Sequence, residues 1–246
     1  MSGHSKWNNI KRKKGASDAA RAKVFTKVAR EMSVAVKEGG PDPNTNSKLR
    51  DCIAKAKAAN MPNDNIDRCI KKAAGSDDKN SFEEIVYEGY GPCGVAVIIE
   101  SLTDNRNRTA GDIRHFFDKC GGNLGQNGCV SYLFTKKGAI VIDNAEGELD
   151  EDKVIEDCFE CGADDVDFDE DTCVIYTGVN ELGAVREALE EKGYTYESAE
   201  PTYIPSTFTA IPDEENCEKM GRLIEMLEDD DDIQGVWHNW ENENEE

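Results

Sequence analysis

The sequence predicts an α+β protein: an N-terminal three-helix bundle followed by two α/β modules of ferredoxin-like type, one inserted in the other. Three observations carry this. Apolar residues recur at helical spacing through the first 75 positions, β-branched runs alternate with amphipathic helices afterwards, and charge divides sharply between the two stretches. The chain has 246 residues and a formal net charge of −22. Residues 1–75 hold 17 Lys and Arg against 7 Asp and Glu, net +10, while the other 171 hold 12 against 44, net −32. An acidic body repels polyanions, so a basic front end points to nucleic acid met through one face.

The stretch "GHSKWNNIKRKKG" (Gly3–Gly15) carries Lys6, Lys11, Arg12, Lys13 and Lys14, no acid, and one aromatic, Trp7. It has no apolar periodicity and reads as an arm that orders only on a polyanion. From Ser17 the pattern turns helical. Phe25, Val28, Ala29, Met32 and Val36 form one stripe, and Lys23, Lys27, Arg30 and Lys37 project to the opposite side at 100° per residue. Gly39-Gly40-Pro41 stops this helix. A second runs from about Ser47 through Leu49, Cys52, Ile53 and Ala56. A third begins near Pro62, with Ile66, Cys69, Ile70 and Ala73 inward and Gly75 as its stop. Arm and bundle together span residues 1–75.

After "SDDKNS" (Ser76–Ser81) the run "CGVAVIIESL" reads as a strand and "TDNRNRT" as a loop. A helix starting near Ala110 follows through Ile113, Phe116 and Phe117, then the strand "CVSYLF". Residues 136–205 repeat the order βαββαβ: strand 138–143, helix 150–161, strand near Val166, strand 172–177, helix 181–192 and strand "YTYES". A further helix, about 213–228, and the strand "GVWHNW" close the chain. Residues 82–135 and 206–241 therefore form one α/β module split by the other, and 242–246 an acidic tail.

Several motifs resolve to structural readings. "GYGPCG" (Gly89–Gly94) has dinucleotide-fingerprint spacing but a β-run follows it, so no helix N-terminus is at hand for a pyrophosphate. "GGNLGQNG" lacks the Lys-Ser/Thr ending of a phosphate loop. Cys158 and Cys161 have metal-type spacing, yet no other cysteine pair or nearby histidine completes four ligands, and their i, i+3 spacing faces a helix core. Asp165, Asp167, Asp169 and Asp171 alternate as in a calcium loop, but Glu170 stands at the glycine position and the context is a hairpin. No nucleophile–base pair stands out, so no catalytic residue, metal or cofactor is expected. Arg106 and Arg108, set among Asn105 and Asn107, suit phosphate or RNA contact; the alternative is a polar turn in which Asp104 or Thr109 caps the helix.

The motifs "GHSKWNNIKRKKG", "RAKVFTKVARE", "NMPNDNIDRCIKKAAG", "YEGYGPCGVAVIIESLTDNRNRT" and "GGNLGQNGCVSYLF" resemble the YebC/PmpR family. The resemblance spans the chain and implies one helical and two α/β domains. It also implies a cytoplasmic transcriptional regulator that binds DNA. Some members, including the mitochondrial translational activator of cytochrome oxidase, act in translation, and bacterial members are linked to relief of stalling at proline runs.

The residues predict a non-enzymatic regulator of gene expression that binds nucleic acid through Lys6, Trp7, Lys11, Arg12, Lys13, Lys14, Lys23, Lys27, Arg30, Arg106 and Arg108. The partner is DNA, with rRNA or tRNA on the ribosome as the alternative. A second alternative is an adaptor that binds a protein through the acidic modules. The lack of an 18-residue apolar run or signal-peptide core, and nine cysteines in no paired framework, fit a reducing cytoplasm.

Overall fold

The computed structural model describes residues 18–75, 82–144, 147, 149–169 and 171–241. The arm residues Lys6, Trp7, Lys11, Arg12, Lys13 and Lys14 lie outside the described residues, as does the tail 242–246. Two compact units are present: Thr135–Ile204, and the remainder on either side of it.

Within the larger unit, helices α1 (Asp18–Gly39), α2 (Ser47–Ala58) and α3 (Asn63–Gly75) form the bundle. Its core takes Val28, Met32, Val36, Leu49, Cys52, Ala56, Ile66 and Ala73 from the predicted stripes and adds Ala35 and Met61, while Phe25, Ala29, Ile53, Cys69 and Ile70 pack against it partly buried. Asn46 joins the first two helices. Its side-chain oxygen caps α2 by accepting from the Leu49 N–H at 3.0 Å. Its amide donates to the carbonyls of Ala35 at 2.7 Å and Gly40 at 2.8 Å, two acceptors at the end of α1.

The same unit holds a four-stranded sheet of order β3-β1-β2-β8, antiparallel throughout. Its strands are β1 (Glu83–Tyr90), β2 (Ala96–Thr103), β3 (Asn123–Leu124) and β8 (Ile233–His238). Helices α4 (Arg106–Lys119) and α7 (Glu214–Asp229) bury Ile113, Phe117, Met220, Leu223, Ile224 and Leu227 in one core with Tyr87, Val97 and Ile99. The fingerprint-like "GYGPCG" is the β1–β2 hairpin, as its β-run predicts. Its glycines serve packing: a Cβ on Gly91 would lie 2.6 Å from the Met220 sulfur, and one on Gly89 2.8 Å from the Asn123 carbonyl.

The smaller unit runs β4 (Phe134–Asp143), α5 (Glu151–Glu160), β5 (Asp165–Asp169), β6 (Thr172–Thr177), α6 (Leu182–Glu191) and β7 (Ser198–Pro205). Its sheet order, β5-β6-β4-β7, is the ferredoxin-like arrangement that βαββαβ predicts. The alternating aspartates lie on β5 and the turn into β6, which is the hairpin expected for them.

Two predicted strands are displaced. "CVSYLF" is not a strand: residues 125–130 form a loop, Ser131–Leu133 a 3-10 turn, and the third strand of the split sheet is Asn123–Leu124. The cause is Glu88, which takes the Gly128, Val130 and Ser131 N–H groups that a ladder would need. "YTYES" is likewise a connection. Tyr194 closes the end of α6 through its N–H and donates its hydroxyl to Asp157, while Tyr196 donates to Glu190, so the strand starts only at Ser198.

Candidate nucleic-acid interface

On α1 the spacing i, i+4, i+7 places Lys23, Lys27 and Arg30 on one side, with Val28, Met32 and Ala35 buried on the other. That basic side is not a solvated face. Lys23 Nζ donates to Asp229 Oδ1 at 2.5 Å, and Lys27 Nζ to the Glu228 carbonyl at 2.8 Å. Arg30 Nη1 donates to the Asp231 carbonyl and to Asp232 Oδ1, both at 2.7 Å, and its guanidinium lies 5.6 Å from the Phe82 ring centroid. The acceptors belong to "EDDDD" (Glu228–Asp232), the end of α7 and the turn into β8. The side expected to be free for a polyanion docks the bundle onto the split α/β domain. Lys48 adds a second tie, to Glu84 at 2.7 Å.

Asp232 is the centre of this junction. Its side chain is 7% exposed and accepts from Arg30, from Arg108 Nη2 at 2.7 Å, from Thr109 Oγ1 at 2.8 Å and from Thr103 Oγ1 at 3.2 Å. Burial alone would raise its carboxyl. The hydrogen bonds from Arg108, Thr109 and Arg30 outweigh burial and hold it below the usual carboxylate range. Asp230 goes the other way: burial and the neighbouring Asp232 and Asp112 charges push it up. Burial lowers Lys27 against the opposing pull of Glu228, Asp230 and Asp231.

Arg106 and Arg108 do not sit in a loop. The helix starts at Arg106 rather than near Ala110, and its cap is neither Asp104 nor Thr109. Asn105 fills that role, accepting from the Arg108 N–H at 3.1 Å, while the Thr109 hydroxyl is spent on Asp232. Arg108 also pairs with Asp104 at 3.0 Å. Arg106 is exposed, and its guanidinium has no ion pair among the described residues. The structure therefore brings Arg30 and Arg108 together on one carboxylate, engages Lys23 and Lys27 nearby, and leaves Arg106 open.

Other exposed cations escaped the sequence reading. Arg68, Lys71 and Lys72 share the outer side of α3 at i, i+3, i+4, opposite Ile66 and Ala73, with no ion pair among the described residues. Asp232 was missed too. Its signal lay in five consecutive acids at the C-terminal end of a helix, where they oppose the helix dipole and need cations from elsewhere.

The Gly-rich loop is built rather than slack. Glu88, itself buried, accepts 2.8 Å hydrogen bonds from the N–H groups of Gly128, Val130 and Ser131, and the Tyr90 hydroxyl donates to the Cys129 carbonyl at 2.8 Å. Burial pushes the Glu88 carboxyl up, but those three N–H groups win and hold it low. Gln126, Asn127 and Tyr132 stand outward, Tyr132 at 71% exposure.

Among the described residues no cluster of three metal-ligating side chains exists. Burial raises the Cys158 thiol to about 12 and pushes Cys161 up as well, so neither supplies a ready thiolate. No described helix is long and apolar enough to cross a membrane.

A helical module docked by its basic side onto an acidic α/β unit, with a second α/β unit inserted, defines an α+β protein. The description "TACO1/YebC protein N-terminal domain" matches residues 5–76, and "TACO1/YebC second and third domain" matches 82–240. The chain belongs to this family. It is 56% identical over 243 residues to a "Probable transcriptional regulatory protein" of Finegoldia magna, covering 99% of this chain and all of that one. A protein of the same description from Ruminiclostridium cellulolyticum is 57% identical, over 100% of this chain and 98% of the relative. A crystal structure described as a conserved hypothetical protein from Aquifex aeolicus superposes with a TM-score of 0.82 at 48% identity, covering 91% of each chain.

Proposed function

We propose that this chain is a non-enzymatic, cytoplasmic regulator of gene expression that binds DNA through its basic N-terminal module. One observation carries the reading: a segment of net +10 fronts a body of net −32, and the relatives above are described as transcriptional regulators. Because the Lys23–Arg30 side is docked, contact begins with the arm cations Lys6, Lys11, Arg12, Lys13 and Lys14 beside Trp7. The open side chains of Arg68, Lys71, Lys72 and Arg106 extend it. Phosphate contact of this kind gives affinity that falls steeply with salt.

A second reading has support in the same charge map. A body of net −32 is repelled by an extended duplex, which favours a folded RNA met through the front end only, as on a ribosome. Sedimentation of cell lysate on a sucrose gradient, with and without nuclease, separates the two. Co-migration with ribosomal particles that RNase abolishes supports the second reading, and absence from those fractions with DNase-sensitive recovery supports the first. Recovery in light fractions that neither nuclease changes would contradict both.

A further inference from the structure

We infer that the acidic segment Glu228–Asp232 acts as a built-in substitute for nucleic-acid phosphate, occupying the basic side of α1 until a polyanion exchanges for its outer part. This rests on the nucleic-acid reading above and names how that site is regulated.

The contact has two unlike ends. At the inner end Asp232 is buried between Arg30 and Arg108, with two threonine hydroxyls completing its hydrogen bonds. Removing one partner there strands a buried charge, so this end stays closed. At the outer end the Lys23 and Asp229 side chains are 40% and 75% exposed, and Lys27 meets only a backbone carbonyl. The exposed Lys23–Asp229 pair contributes little, and a phosphate offers Lys27 a charged acceptor in place of a neutral carbonyl.

The placement of the acids supports a role beyond local structure. Glu228 and Asp229 end α7 and Asp230 is its C-cap, where the helix dipole disfavours negative charge, and the last turn contains no basic residue. The α1 cations help offset that local cost. The geometry resembles what a strand of phosphates would present: the Asp229 carboxylate, the Glu228 carbonyl and the Asp232 carboxylate meet cations spaced about one turn apart on α1. Opening the outer end adds Lys23 and Lys27 to the arm and leaves the anchor in place.

The test neutralises the outer acids and spares the anchor. Fluorescence anisotropy with a labelled 20-mer DNA duplex and an RNA of equal length compares wild type with E228Q/D229N/D231N, each also in a K23Q/K27Q background. The single variant D229N, and melting curves for every variant, guard against misfolding. The expected result is binding about tenfold tighter in the triple variant. The log–log salt slope should steepen by about 1.4 to 1.8, as two added phosphate contacts require, and both effects should vanish in the K23Q/K27Q background. If wild type binds but the triple variant gains nothing, or gains equally without the lysines, the inference is overturned and the nucleic-acid reading stands. If no form binds either probe, both fall.

Discussion

Arg30 and Arg108 close on the two oxygens of one carboxylate, that of Asp232, each at 2.7 Å. One arginine comes from the helical bundle and the other from the split α/β domain, so the seam between them is fixed by a shared buried anion. Its hydrogen bonds are satisfied from both sides, which is the condition under which a buried charge stabilises.

Replacing that anion tests the seam. D232N leaves two arginines facing a neutral amide and is expected to cost about 2–4 kcal/mol at pH 7. The folded carboxyl is held low, so its contribution is full above the unfolded value of about 3.9 and is lost as pH falls through the folded value. Urea denaturation from pH 7 to pH 3 should therefore show the gap between wild type and D232N narrowing below about pH 4. A constant gap would contradict the role given to Asp232.

Charge reversal along α1 should be graded by depth. K23E alters an exposed pair and is expected to cost no more than about 1 kcal/mol. R30E sets a carboxylate against buried Asp232 and is expected to cost 3 kcal/mol or more. Sequence alone predicts at most about 0.5 kcal/mol for either, as for free surface positions. Equal melting temperatures for the two variants would restore that simpler picture.

The Gly-rich loop depends on one side chain. E88Q removes acceptor capacity from three backbone N–H groups and turns an amide donor toward them, for an expected loss of about 2–3 kcal/mol. Hydrogen exchange should speed up first at Gly128, Val130 and Ser131. Unchanged protection at those amides would show that the loop holds without Glu88.

Deleting residues 1–15 should leave the melting temperature of the described body unchanged and weaken nucleic-acid binding. Each lost phosphate contact should flatten the log–log salt slope by about 0.7 to 0.9. A slope that does not move would remove the arm from the interface.

The helices were legible because burial of one stripe is a local, periodic demand: Val28, Met32 and Val36 go inward wherever the helix docks. The βαββαβ order was legible for the same reason, each strand and helix announcing its own period. What the sequence did not show are pairings between distant surfaces. "CVSYLF" has strand composition, and only the remote carboxylate of Glu88 diverts its N–H groups. Lys23, Lys27 and Arg30 read as a side open to a polyanion because nothing within α1 indicates that residues 228–232 lie against it. Local pattern fixes which side of a helix is apolar; it does not fix what covers the polar side.

The contacts between α1 and the acidic segment join residues 201 to 206 positions apart. By contrast, Asn46 reaches back only 11 positions to the end of α1. During synthesis the bundle can thus close once Gly75 has emerged, while its acidic cover, residues 228–232, is made about 150 residues later. At translation rates of about 5–20 residues per second, that interval is on the order of 10–30 s. For that time the nascent chain displays an uncovered row of cations beside the RNA-rich surface of the machine making it, and the arrival of residues 228–232 is what turns the row inward.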